Sequence, residues 1–304
     1  MHIALKVDVD TLRGTLEGVP ALLRLFERFG VRATFLFSLG PDHTGRAIRR
    51  IFRPGFFAKV RRTSVTSHYG MKTLLYGTLL PGPDIGRRAG DVMRAAAAAG
   101  HEVGIHCHDH IKWQDQVAHR DAAWTRREME RAAEAFVRVF GRPAHAHGAA
   151  GWQINPHALA LEAEFGYDWA SDTRGTTPFL PVMAGLASRC PQLPTTLPTL
   201  DELLGLDGIT AADVHQHVLA ASEQPLPAGH VYTLHAELEG MQLLPVMEGL
   251  LAGWRQAGQE VLAMDDVAGR LPSGSQPVHE VVWGEVAGRS GQLALQGPQL
   301  AAAL

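Results

Sequence analysis

Residues 3–38 read IALKVDVDTLRGTLEGVPALLRLFERFGVRATFLFS, and their pattern decides the fold. Ile3 to Asp8 is dense in aliphatic and β-branched side chains, which predicts a buried strand, and it runs into Asp8-Val9-Asp10-Thr11 before Arg13-Gly14 turns the chain. Gly18 to Gly30 places Leu22, Leu25, Phe26 and Phe29 on one helical face, and Arg32 to Ser38 is a second apolar strand. Strand, amphipathic helix and strand in that order make a βαβ beginning, with the two strands parallel. Parallel α/β folds collect their chemistry at the C-terminal ends of strands, so Asp8 and Asp10 are candidate functional groups. A period of two puts both on one side of the strand. An Asx-turn with a helix cap would account for one of them but hardly for both.

The alternation continues outward from this unit. Asp84 to Ala99 is a helix with Asp84 near its start and Gly100 past its end. Glu102 to Ile105 is a strand that opens onto His106-Cys107-His108-Asp109-His110. His106 and His110 stand four apart, so on a helical turn or tight loop they can face one way and bind one metal ion through neutral imidazoles. Alone, such a pair could equally be a backbone-bonded strand-end histidine and a solvated turn residue. Further on, Asp121–Phe140 and Pro156–Phe165 read as helices, and Ala144–Gly151 as a short strand entering a glycine-rich turn before Trp152. Tyr167–Asp172 reads as a strand ending in Asp172-Thr173-Arg174-Gly175, and Pro178–Pro198 as mostly loop with a strand near Leu193. Thr210–Ala221 is a helix, His230–His235 a strand with His235 at its end, Leu243–Ala257 a helix, Glu260–Met264 a last strand and Asp265–Leu271 a short helix. Three strand ends thus offer Asp8 and Asp10, His106 and His110, and His235. On the rim of a barrel-like sheet two imidazoles and one carboxylate can bind a divalent ion with positions left for water and substrate, as in a metal hydrolase.

Composition bounds the alternatives. The 304 residues, 46% hydrophobic, can bury the core of one large α/β domain or two smaller ones. A net charge of -3 argues against a nucleic-acid partner, whose binding would rest on a basic surface. Cys107 and Cys190 are the only cysteines, so no disulfide framework exists and a reducing compartment is expected. Cys107 lacks the base-and-orienter pattern of a nucleophile. The N-terminus shows no signal-peptide pattern and no stretch approaches a spanning helix, which predicts a cytoplasmic protein that can still sit on a membrane.

Residues 41–83 break the rhythm and read as an inserted helical segment, a lid or a docking element. Arg46, Arg49, Arg50, Arg53, Lys59, Arg61, Arg62 and Lys72 interleave there with Phe52, Phe56, Phe57 and Tyr76, and no acidic residue falls between Arg46 and Pro83. That composition suits RNA, the interface of an anionic bilayer, or an ordinary solvated helix face over core. Residues 272–304, rich in Gly, Ser, Pro and Gln, read as an extension outside the core, leaving 1–271 as the domain proper.

The order Asp8-x-Asp10, His106-x3-His110 and Leu234-His235 resembles the NodB-type polysaccharide deacetylases, carbohydrate esterase family 4. The resemblance implies a distorted (β/α) barrel and a divalent metal cofactor (Zn, Mn or Co) held by Asp10, His106 and His110. It further implies Asp8 as catalytic base and His235 as catalytic acid. Where the family has an arginine motif, this chain has Gly148-Ala149-Ala150-Gly151-Trp152-Gln153. Arg174 is taken as the replacement that orients Asp8, and the stretch Ala150, Gly151 and Trp152 as oxyanion support. Within the family, VDVDTLRGTLEGVP, EVGIHCHDH, AAGW, SDTRG, QLPTTLPTLDE and VYTLHAELEG together resemble one branch over residues 2 to about 270. That branch removes formate from a formamido sugar linked to undecaprenyl phosphate, in the aminoarabinose modification of lipid A that underlies polymyxin resistance. The implied partners are that lipid-linked sugar and an anionic membrane surface, at the cytoplasmic face of the inner membrane. Arg49, Arg50, Arg53, Phe56, Phe57, Arg61 and Arg62 would then meet the lipid and its phosphate. The rivals are an N-deacetylase of another glycan and a non-catalytic binder of lipid-linked sugar. The first has no use for the basic-aromatic insertion, and the second no need of both Asp8 and His235.

Overall fold

The structure, a computed structural model, describes residues 1–47, 73–272 and 276–301. The chain opens with β1 (His2–Val9), buried along its length after His2 because a parallel strand is covered on both faces. A five-residue π turn over Gly14–Gly18 leads into α1 (Val19–Phe29), which has Pro20 in its first turn, buries Val19, Leu22, Leu25 and Phe26, and stops at Gly30 with φ +66°. β2 (Thr34–Ser38) completes the βαβ unit, and α2 (Ile85–Ala98) starts where the Asp84 carboxylate accepts the Arg87 N–H. β3 (Glu102–Cys107) follows, and then α3 (His110–Gln116), capped by Asp109, so that His110 falls on the first residue of a helix. Next come α4 (Ala122–Phe140), β4 (Ala146–His147), α5 (Pro156–Glu164) and β5 (Trp169–Ala170).

The main sheet runs β5-β4-β3-β2-β1 and continues to β8 (His230–His235), all parallel. β9 (Glu260–Leu262) pairs with β1 over His2–Ala4, ahead of the residues that pair with β2. The strand expected near Leu193 is an irregular segment that spans the gap between the sheet edges. Leu193 N–H donates to Ala170 O on the β5 side, and Thr196 and Leu197 N–H donate to Val231 O on β8. Pro191, Pro194 and Pro198 deny it a regular ladder because they have no N–H to donate, so the barrel closes in distorted form.

The run 178–198 is mostly irregular, as expected, but it also carries a hairpin of β6 (Leu180–Met183) and β7 (Leu186–Ala187). Contrary to expectation, residues 278–299 do not lie outside the core. β10 (Val278–Glu285) pairs with β6, β11 (Gln292–Gln299) pairs with β10, and Val281, Leu293 and Ala294 are buried. The sparse, mixed apolar content of this hairpin hides its pattern, because only one face of a small second sheet is covered. Among the described residues the remaining α-helices are a short turn at Leu200–Leu203, one at Val214–Ser222 that starts later than the expected Thr210, and those at Leu244–Gln256 and Met264–Gly269.

Candidate active site

Parallel strands bring their C-terminal ends to one rim, and the residues singled out from sequence meet there. Asp10 Oδ1 lies 3.3 Å from His106 Nε2 and 3.4 Å from His110 Nε2. The three ligand atoms fall within 4.8 Å of one another. His106 is wholly buried at the end of β3, and its Nδ1 donates to Gly148 O at 2.6 Å, which turns Nε2 toward Asp10. Burial by itself would raise the Asp10 carboxyl, but His110, His106 and His235 around it hold it below the usual carboxylate range. Among the described residues Asp10 Oδ1 has no hydrogen-bond partner. A buried carboxylate oxygen aimed between two imidazole nitrogens fits a divalent cation, and the donor set of two His and one Asp suits Zn, Mn or Co.

Asp8 is the register partner of His235 across the β1–β8 pairing, so the two candidate catalytic groups start from facing positions of adjacent strands. Buried Asp8 sends Oδ1 to 3.9 Å from His106 Nδ1 and Oδ2 to 3.3 Å from Lys6 Nζ. The Nδ1 of His235 is buried without a partner among the described residues.

Two buried glutamates in the segment after β8, not assigned roles from sequence, shape this rim. Glu237 Oε1 accepts from Asp10 N at 3.1 Å, Thr11 N at 2.8 Å and Thr11 Oγ1 at 2.7 Å, fixing the backbone that carries Asp10. A side chain at Gly14 would meet that same oxygen at 1.9 Å, so glycine is required beneath it. Burial and the neighbouring Asp10 charge push the Glu237 carboxyl well up. Glu239 accepts from His235 N at 2.9 Å and Tyr232 OH at 3.1 Å, and burial pushes its carboxyl up to about 7. Glu237→Ala should lower metal affinity about 10- to 100-fold while leaving all three ligands in place, since a support that orients a ligand is lost. Competition with a metal-binding dye measures it, and unchanged affinity would show that the strand alone fixes Asp10.

Other expectations resolve differently. Arg174 does not pair with Asp8. Its guanidinium bonds Glu202, Leu197 O at 2.9 Å and Thr195 O at 3.3 Å, and lies 5.2 Å from the Trp152 ring centre. Arg174 follows the short strand β5, at the edge of the sheet where the closing segment pairs with it, so its reach is toward 195–202. Trp152 is buried at φ +52° with its amide donating to Ala149 O, which removes that N–H as an oxyanion donor. The Ala149 N–H donates to Asp172 Oδ1 at 2.7 Å. Ala150 and Gly151 sit between them, and a side chain at Gly151, which has φ +63°, would meet Gln114 Nε2 at 2.3 Å. Cys107 packs 3.3 Å from Ser38 Oγ, and burial drives its thiol well above its ordinary range, which removes it as a nucleophile. Arg49, Arg50, Arg53, Phe56, Phe57, Arg61 and Arg62 lie outside the described residues.

A second buried cluster, His147, Glu162 and Asp172, also has metal-like spacing. Its atoms are already engaged, with His147 Nδ1 2.9 Å from Glu162 Oε1 and 3.1 Å from Asp172 Oδ1 and Gln192 Nε2 2.6 Å from Asp172 Oδ2. Burial disfavours the His147 cation, but Asp172 and Glu162 outweigh it and push the imidazole up to about 10. The cluster is thus an internal ion network, and through Ala149 it holds the loop whose Gly148 carbonyl fixes His106. Only His147 and Asp172 had a sequence signal, as strand-end residues. Glu162 sits inside a helix and Gln192 in the irregular segment, where nothing marks them.

With this geometry in hand, the comparisons are specific. The family model described as polysaccharide deacetylase matches residues 2–170. A Shewanella sediminis protein named "probable 4-deoxy-4-formamido-L-arabinose-phosphoundecaprenol deformylase ArnD" is 36% identical over 98% of this chain and 95% of its own. A Wigglesworthia glossinidia brevipalpis protein of the same name is 28% identical over 93% of this chain and 98% of its own. A crystal structure from Mycobacterium smegmatis, named as a polysaccharide deacetylase, superposes with a TM-score of 0.63 at 18% identity, covering 94% of each chain. That likeness carries the fold.

Proposed function

This chain belongs to the polysaccharide deacetylase family, and on that premise we propose that it is a metal-dependent hydrolase removing formate from 4-deoxy-4-formamido-L-arabinose linked to undecaprenyl phosphate. The observation that carries the reading is the meeting of Asp8, Asp10, His106, His110 and His235 at one rim of the barrel, in a chain 36% identical to a relative bearing that activity in its name. Asp10, His106 and His110 would hold the ion. When bound, it supplies Lewis acidity toward the formyl oxygen and toward water. Asp8 accepts the proton of the attacking water, and His235 protonates the departing sugar amine, without which C–N cleavage stalls. The amides of Ala150 and Gly151 are the oxyanion donors of this scheme. The product is a free aminoarabinose on its lipid carrier, ready for transfer to lipid A.

The direct test incubates the metal-loaded protein with a short-chain polyprenyl-phosphate formamido sugar and follows loss of the formyl group by mass spectrometry. An acetamido analogue run beside it separates the deacetylase alternative. Preference for the acetamido sugar rejects the deformylase reading, and turnover of neither rejects an enzyme of this class.

The substrate's lipid places the work at a membrane surface. No helix among the described residues is long and apolar enough to cross a bilayer. The run from Arg46 to Pro83 offers eight basic residues and no acidic one, and on its described return leg Leu79 is 81% exposed. Each basic residue near an anionic surface contributes about 1 kcal/mol, and buried aromatics add anchoring that salt does not screen. The protein should pellet with anionic liposomes, detach only partly at high salt, and detach fully when Phe56 and Phe57 are made polar. Absence of liposome binding together with equal turnover of a sugar phosphate lacking its lipid would remove the docking claim and leave the metal site untouched.

A further inference from the structure

We propose that Lys6 is the positioning residue of the base, gripping one oxygen of Asp8 so that the other is presented to the reaction centre; the proposal rests on the reading of Asp8 as that base. Lys6 and Asp8 alternate along β1 and therefore share a face, with Asp10 just past the strand's end. The Lys6 side chain is wholly buried, and its Nζ lies 3.3 Å from Asp8 Oδ2. A buried ammonium persists only beside a counter-charge. Nζ has no hydrogen-bond partner among the described residues, so that carboxylate is what holds it.

The surroundings are built for this lysine. Its Nζ lies 5.3 Å from the Trp152 ring centre. A Cβ at Gly148 would come 3.1 Å from Lys6 Cε and 2.4 Å from Leu36 Cδ1, so glycine leaves room for the stem. The other cations at Trp152, Arg174 and Arg289, are turned away toward Glu202, to which Arg289 Nε donates at 3.0 Å. Among the described residues, Lys6 is the lysine or arginine that pairs with Asp8. Asp8 Oδ1, by contrast, has no hydrogen-bond partner among the described residues and points to the side of His106. One oxygen is held and its twin is presented, as a base that must meet water in one orientation requires.

The test compares Lys6→Met and Lys6→Arg, each alone and combined with Asp8→Asn, in the metal-loaded full chain on the short-chain formamido substrate. Lys6→Met should lower kcat by about 100-fold or more, within the range a positioned base supplies, with KM and bound metal per chain essentially unchanged. Lys6→Arg should recover turnover to within about tenfold of wild type, because the charge returns in a different shape. In the Asp8→Asn background Lys6→Met should change the residual rate less than about twofold, since a residue acting through Asp8 has nothing left to act on. A Lys6→Met enzyme within about threefold of wild-type kcat overturns the proposal. So does one that slows Asp8→Asn as much as it slows wild type, or that loses its metal, as a general packing role would produce. If Lys6→Met alone cannot be purified, the double variant, which removes both buried charges, carries the decision: a residual rate equal to that of Asp8→Asn supports the role and a slower one overturns it. Wild-type protein that releases no formate defeats the functional reading itself, whereas an active wild type matched by Lys6→Met defeats this inference alone.

Discussion

Replacing His106 or His110 with alanine should yield protein that folds yet has lost its metal and at least about 100-fold in turnover, because even a residue that merely supports a ligand commonly costs 10- to 100-fold. The expectation follows from Asp10 Oδ1 lying 3.3 Å and 3.4 Å from the two Nε2 atoms. Removing either imidazole leaves two donors, too few to retain a divalent ion against water. His106→Ala also opens space in a packed region and frees the Gly148 carbonyl, so the fold should be checked by circular dichroism before metal is counted. Chelation of the wild-type protein should abolish activity, and one equivalent of metal should restore it. Metal analysis of the purified variants decides the matter, since full occupancy in either one rejects the assignment.

The second large effect separates the two aspartates. Asp8→Asn should retain metal and lose about 10²- to 10⁴-fold in turnover, the usual contribution of general acid–base catalysis. His235→Gln should fall in the same range by removing the acid. Asp10→Asn should instead weaken metal binding. The Asp8 variant brings a complication that the structure makes plain, for it leaves the buried Lys6 ammonium without its counter-charge. Breaking a buried pair in that way costs about 3–5 kcal/mol, so thermal stability should drop and turnover should be read well below the new melting point. Metal lost from Asp8→Asn and kept by Asp10→Asn would mean that the roles are exchanged.

Much of this was legible in the linear sequence because it depends on local regularities. Periods of two and 3.6 mark the strand and helix of the first βαβ unit, and parallel strands deliver their ends to one rim, so Asp8, Asp10, His106, His110 and His235 could be named as one constellation. Caps such as Asp84 and the left-handed Gly30 are equally local signals. What only the tertiary structure decided rests on pairings distant in the chain. Nothing local to its strand marks Lys6, which closure of the barrel buries over Trp152. Glu237 reaches Thr11 across 226 positions, and no spacing rule connects a residue after His235 to the backbone at Asp10 and Thr11. The network of His147, Glu162, Asp172 and Gln192 is assembled from a strand end, a helix, a second strand end and a proline-broken segment. Residues 272–304 read as an extension because Gly, Ser, Pro and Gln break up their apolar pattern, yet β10 within them pairs with β6 and Arg289 reaches the face of Trp152. Sequence period reports which way a side chain leaves its own element. Which charge it meets there is set by chain closure, because a buried ion is tolerated only where another segment supplies its partner.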